Sequence, residues 1–203
     1  MSIGLKGNAD GSGAVQVGGS DAITITTGLA ATFVNNVTVT GTLSANGVTG
    51  SVYPIVSGTA VASTSGTSID FTSIPSWVKR ITVMLSGVST NGTSNLLVQI
   101  GAGSVTSSGY ISASTVPGGA TTSTAGFIVT SSNLAADTTY GNVIISLLGS
   151  NAWTESALTY GNSGNVRSCA GGVTLGGTLD RVRVTTVNGT DTFDAGSINI
   201  LYE

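Results

Sequence analysis

Short runs in which apolar and small polar residues alternate, separated by Gly, Ser and Asn, recur along the chain. A period of two marks strands with one buried face. It predicts strands over 69–75, 78–88, 95–101, 125–131, 141–149, 151–158, 178–187 and 196–202. Upstream, AITITTG (22–28) and FVNNVTVTGTLSANGVTG (33–50) show the same alternation, with Val37, Val39 and Leu43 set against Thr38, Thr40 and Thr42. Val, Ile and Thr abound while Lys, Glu, Gln and Arg are scarce, which favours pleated strands over helix. Turn signals spaced about 8–15 residues apart suggest an antiparallel β-sandwich. Asn91–Gly92 is the expected turn of a hairpin joining 78–88 to 95–101.

The pattern divides the chain into three parts. Residues 1–20, with Gly4, Gly7, Gly11, Gly13, Gly18 and Gly19, form an expected extended docking arm. Residues 21–67 read as a short β-stalk and linker, within which the low-complexity segment 57–68 either bridges to the main domain or pairs as an edge strand. Residues 68–203 make the C-terminal β-sandwich, jelly-roll-like in its expected form. A lone stalk strand would expose unpaired edges, and three chains wrapped together satisfy them. The segments 79–93 and 180–190 both run from charged residues through a β-branched strand into Asn-Gly-Thr, a shared turn grammar rather than a duplication. Loops such as 101–124 depend on neighbouring subunits for their order in this reading.

Composition changes the picture of the surface. Hydrophobic residues make up 40% of the 203 and charged residues only 7%, against roughly 25% charged in an ordinary domain; mean hydropathy is +0.37. The 28 Ser, 31 Thr and 30 Gly supply the polarity that Lys and Glu usually supply. Uncharged hydroxyls cost little to bury, which suits permanent contacts among copies of one chain. Net charge is −3 and the six basic residues, Lys6, Lys79, Arg80, Arg167, Arg181 and Arg183, are dispersed, so no nucleic-acid partner is expected. No apolar run is long enough to span a membrane, no signal peptide is evident, and the single Cys169 fits a reducing cytoplasm.

The chain has no histidine, which removes Ser-His-Asp and Cys-His catalysis and the usual neutral-pH base. Cys169, close to Arg167 but without a base, reads as a small buried or turn residue. Among nine carboxylates, Asp191 and Asp194 are neighbours, but three positions apart on a strand they face opposite ways, so they read as turn caps. Residues 8–12 lack the acidic density of a Ca2+ loop. The Asn-x-Thr triplets at Asn36, Asn91 and Asn188 read as turns, and no phosphate-binding Gly loop is present. No catalytic, cofactor-binding or metal-ligating residue is therefore assigned. Trp77, after Pro75, is expected to plug the end of the core. Trp153, Tyr110, Tyr140 and Tyr160 fall in Gly/Ser-rich connections and are the candidate ligand or receptor contacts.

IDFTSIPSWVKRITVMLSGVSTNGTSNLLVQIG (69–101) with LDRVRVTTVNGTDTFDAGSINILYE (179–203) resembles the C-terminal β-sandwich of bacteriophage tail-fibre and head-fibre proteins. NVTVTGTLSANG (36–47) resembles segments of phage fibre shafts, and LKGNADGSGAVQVGGSDAITI (5–25) their leader. The resemblance implies a homotrimer assembled in the host cytoplasm and displayed on the virion. Its N-terminal arm, with Ile3, Leu5, Lys6, Val15 and Val17 as docking candidates, would grip another capsid or tail protein. The expected function is attachment to host-surface glycan. The alternative is a capsid decoration or head-fibre protein, which the short stalk favours, and a polysaccharide depolymerase ranks last.

Overall fold

The computed structural model describes residues 4–7, 13–17, 20–21, 54–135 and 137–203. The chain separates into two compact units between Val52 and Tyr53. In the first, β1 (Gly4–Gly7), β2 (Gly13–Val17) and β3 (Ser20–Asp21) form an antiparallel sheet in that order. Leu5 stands opposite Val15 and Lys6 opposite Ala14, so four of the five docking candidates lie on paired strands. Ile3, the 8–12 loop and the stalk strands of 22–50 lie outside the described residues.

The second unit is all-β and antiparallel, and no described residue is helical. Its strands are β4 (Val56–Ser57), β5 (Val61–Ala62), β6 (Ser68–Thr72), β7 (Arg80–Thr90), β8 (Leu96–Ala102), β9 (Ser104–Val105), β10 (Ile111–Val116), β11 (Gly119–Ser123) and β12 (Phe127–Ile128). They continue with β13 (Thr139–Gly149), β14 (Ala152–Gly161), β15 (Asn165–Thr174), β16 (Arg181–Thr186) and β17 (Phe193–Tyr202). The larger sheet runs β11-β10-β15-β14-β13-β7-β17-β4, with β5 also on β17. The smaller runs β12-β8-β16-β6, with β9 on β8.

One core lies between the two sheets. Ile81, Val83 and Leu85 of β7, Val143 and Ile145 of β13, and Ile198 and Ile200 of β17 pack with Ile69 and Phe71 of β6, Val98 and Ile100 of β8, and Val182 and Val184 of β16. These are the alternate β-branched positions of the sequence pattern, and each buried side chain of this size contributes roughly 1.5–3 kcal/mol. Trp77 packs against the core margin, its ring tilted 48° on Tyr202 with centroids 5.9 Å apart.

Of the two alternatives for segment 57–68, pairing at a sheet edge is the one found, because β4 and β5 pair with β17. Two other expectations are corrected. Segment 101–124 carries its own hairpin, β10 with β11. The turn at Asn91–Gly92 does not close a hairpin: β7 pairs with β13 and β17, whereas β8 pairs with β16 and β12. The chain crosses there from the larger sheet to the smaller, and at Asn188–Gly189 it crosses back from β16 to β17. The two crossings brace each other. Asn91 N–H donates to Thr192 O (2.9 Å), and Thr192 N–H donates to Asn91 Oδ1 (2.8 Å). Ser94 N–H and Asn188 Nδ2 donate to the Asp191 carboxylate at 2.9 and 2.6 Å. Asp191 is thus a loop brace.

At the start of β17 the register against β7 shifts twice, between Phe193 and Ala195 and between Ala195 and Ser197. Gly196 absorbs the irregularity at φ +92°, a left-handed backbone where a Cβ would also overlap the Gly87 carbonyl. Gly196→Ala is expected to lower stability by roughly 2–3 kcal/mol, read as a lower urea midpoint at unchanged slope.

Candidate functional site

The half of the larger sheet built from β14, β15 and β10 has a polar inner face. In β15, Arg167, Cys169 and Val173 point inward while Val166, Ser168 and Ala170 point outward. Opposite them on β14 stand Thr159, Ala157 and Trp153 in register, with Glu155 facing Gly171. Arg167 is fully buried, and a charge in that position must be paired. Its Nε donates to Ser131 O (3.0 Å) and its Nη2 to Asp137 Oδ2 (3.1 Å), an oxygen that also accepts from Ser163 Oγ at 3.0 Å. Gly161 makes room for the guanidinium, since any Cβ there would overlap it. Thr159 Oγ1 donates to Val129 O at 2.7 Å. Val129, Ser131 and Asp137 are thereby tied to the sheet. Removing the anion leaves an unpaired buried cation, so Asp137→Ala is expected to cost roughly 3–5 kcal/mol, measured by chemical denaturation.

Glu155 is buried with neither carboxylate oxygen hydrogen-bonded. Burial pushes its carboxyl up to about 8, so it is protonated at neutral pH. The neighbouring Cys169 thiol is pushed up to about 11, first by burial; a Ser114 hydrogen bond and Arg167 pull it down, and Glu155 adds to the rise. At neutral pH it stays an unreactive thiol, 3.4 Å from Ser114 Oγ. That agrees with its reading as a buried structural residue.

The aromatic candidates separate into two pairs. Trp153 and Tyr110, expected on loops, are 3% and 1% exposed. Trp153 sits on β14 in the core, and Tyr110 precedes β10 with its ring edge-on to Phe127, centroids 4.9 Å apart. Tyr110 OH donates to Ile100 O (3.1 Å) and accepts from Ile100 N–H (2.8 Å); burial pushes the phenol up to about 12. Both side chains are enclosed in the core, which corrects the loop placement expected of them. Tyr140 and Tyr160 are strand residues directly opposed across β13 and β14, and both are nearly half exposed. They share the outer face of the larger sheet with Val166, Leu158 and Ile144. Sequence reasoning missed the interior Glu155–Cys169–Arg167 cluster, whose only signal was that the charges of 81–179 fall singly in apolar alternation.

Compared with known proteins, the chain matches no family model, no curated protein and no solved structure.

Glu155 gives the fold a pH dependence. Its carboxyl ionises near 4.5 in the unfolded chain and near 8 in the folded one, so the folded state keeps a proton that the unfolded state releases. The stability that Glu155 contributes is fully present below about pH 4.5 and is lost as pH rises through 8. Glu155→Gln is expected to abolish that fall, leaving the variant more stable than the wild type at pH 9 by roughly 3–5 kcal/mol, read from urea titrations at pH 5 and 9.

Proposed function

We propose that this chain is a virion structural protein of bacteriophage type, a homotrimeric appendage whose C-terminal β-sandwich attaches to host-surface glycan without cleaving it. The observation that carries this reading is the placement of charge. From residue 81 to residue 179 the chain holds three charged side chains, Asp137, Glu155 and Arg167, and all three are buried. The outside of that stretch is made of hydroxyls, amides and aliphatic groups, which suits lasting contact with copies of itself and with neutral sugars.

Tyr140 and Tyr160 supply a saccharide platform at one end of the larger sheet: two tyrosines in directly opposed positions, each nearly half exposed, a residue type able to stack on a sugar and to hydrogen-bond its hydroxyls. Cleavage would need two carboxyl groups facing across a groove. Glu155 is enclosed in the interior, and the Asp191 carboxylate is engaged by Ser94 and Asn188, which supports binding without hydrolysis. In this reading the N-terminal arm, with Ile3, Leu5, Lys6, Val15 and Val17, docks on a capsid or tail protein, and assembly takes place in the host cytoplasm.

The test is binding of the labelled full chain to an array of bacterial surface polysaccharides. The wild type is expected to bind at least one polysaccharide without depolymerising it, and Tyr140→Ala with Tyr160→Ala to weaken that binding tenfold or more. Absence of binding across the array, or binding indifferent to both substitutions, contradicts the attachment role.

A further inference from the structure

Among the described residues ten large hydrophobic side chains remain exposed, and seven of them lie on one surface. Ile111, Tyr140, Ile144, Leu148, Leu158, Tyr160 and Val166 all belong to the outer face of β10, β15, β14 and β13. The register sets them in rows, because directly opposed residues of an antiparallel sheet share a face. Val166, Tyr160 and Tyr140 form the end row. Ser168, Leu158, Asn142 and Met84 form the next, followed by Ala113, Ala170, Ser156, Ile144 and Thr82. Between the large side chains stand only small or uncharged ones, so a second surface can approach closely. A groove of about 480 Å3 opens between Ile144 and Leu158.

We infer that this face is the contact surface between copies of this chain, buried against the same face of neighbouring protomers around a symmetry axis. The inference rests on the self-assembly that the proposed function requires, and it adds where that assembly occurs. Its first support is charge. A closed symmetric contact brings identical groups near each other, so any charge near the axis would meet its own kind. The three rows present none, and the next row, Ile111, Gly172, Thr154 and Ser146, ends on β7 in Arg80, whose charge is paired with Glu203. A charged partner would find no complementary group here. The second support is area. At their fractional exposures, with Ile111 at 82%, Leu148 at 80% and Leu158 at 61%, the five aliphatic side chains alone leave on the order of 500 Å2 in water, at the upper end of the patch usual on a monomer, and the small side chains between them bring the face toward one partner's share of a standard interface. The tyrosines stand in the end row, at the edge of this face, so the saccharide platform and the assembly face adjoin rather than overlap.

The test uses the full chain in three forms. Analytical ultracentrifugation should find the wild type as a multimer and Ile144→Lys with Leu158→Lys as a folded monomer of 19.9 kDa. To separate loss of the face from general disruption by the lysines, Ser156→Cys and Thr72→Cys are made separately in the wild-type background, Cys169 being buried. The thiol at 156, in the centre of the face, should react with a maleimide at least tenfold more slowly than the thiol at 72, on the exposed margin of β6. A multimer that keeps its mass with the lysines and labels rapidly at 156 overturns the face assignment and leaves homo-oligomerisation intact. A monomeric wild type overturns both, and slow labelling at 156 in that monomer assigns the face to another segment of the same chain.

Discussion

The pairing of β7 with β17 in one sheet and of β8 with β16 in the other governs the rest of the C-terminal unit. The strands consecutive in sequence, β7 to β8 and β16 to β17, never pair with each other; each passes from one layer to the other. Neither layer therefore forms without its counterpart. The apolar stripe Ile81, Val83 and Leu85 meets Val98, Ile100, Val182 and Val184 only when both crossings are made. The hydrogen bonds among Asn91, Ser94, Asn188, Asp191 and Thr192 hold the crossings side by side, so local turn chemistry and long-range core packing specify one arrangement.

Around this double crossing the larger sheet extends through β13, β14 and β15 to β10 and β11, and there the sides of the sheet reverse their usual character. Arg167, Asp137 and Glu155 lie inside, while Ile111, Leu148 and Leu158 lie outside. Burying a paired Arg and a protonated Glu is costly beside an apolar core of equal volume. The guanidinium still has a structural use, because it ties Ser131 and Asp137 to the sheet.

How much the sequence revealed follows from the same physics. The strands β6, β7, β8, β13, β16 and β17 were legible because their inward positions are mostly β-branched, Leu or Phe. β15 and β10 were not: their inward residues include Arg167, Cys169, Ser112 and Ser114, so no apolar period marks them. Asn91–Gly92 fixed a turn but not the partner of the strand leaving it, since a crossing between layers uses the same residues as a hairpin. Trp153 and Tyr110 are flanked by Ser, Gly and Asn that imitate a loop, yet Ile100 and Phe127 enclose Tyr110 and the core encloses Trp153, and these neighbours are distant in sequence. Tyr140 and Tyr160 remained available because strand alternation turned them outward.

The central claim is that an uncharged sheet face holds copies of this chain together. Sedimentation equilibrium of the full chain at 0.05 M and 1 M sodium chloride, where the screening length is about 14 Å and about 3 Å respectively, tests it most directly. An apolar contact predicts a multimer of the 19.9 kDa chain at both concentrations, with association unchanged or tighter at high salt. A monomer at both, or a multimer that dissociates as salt rises, would contradict it.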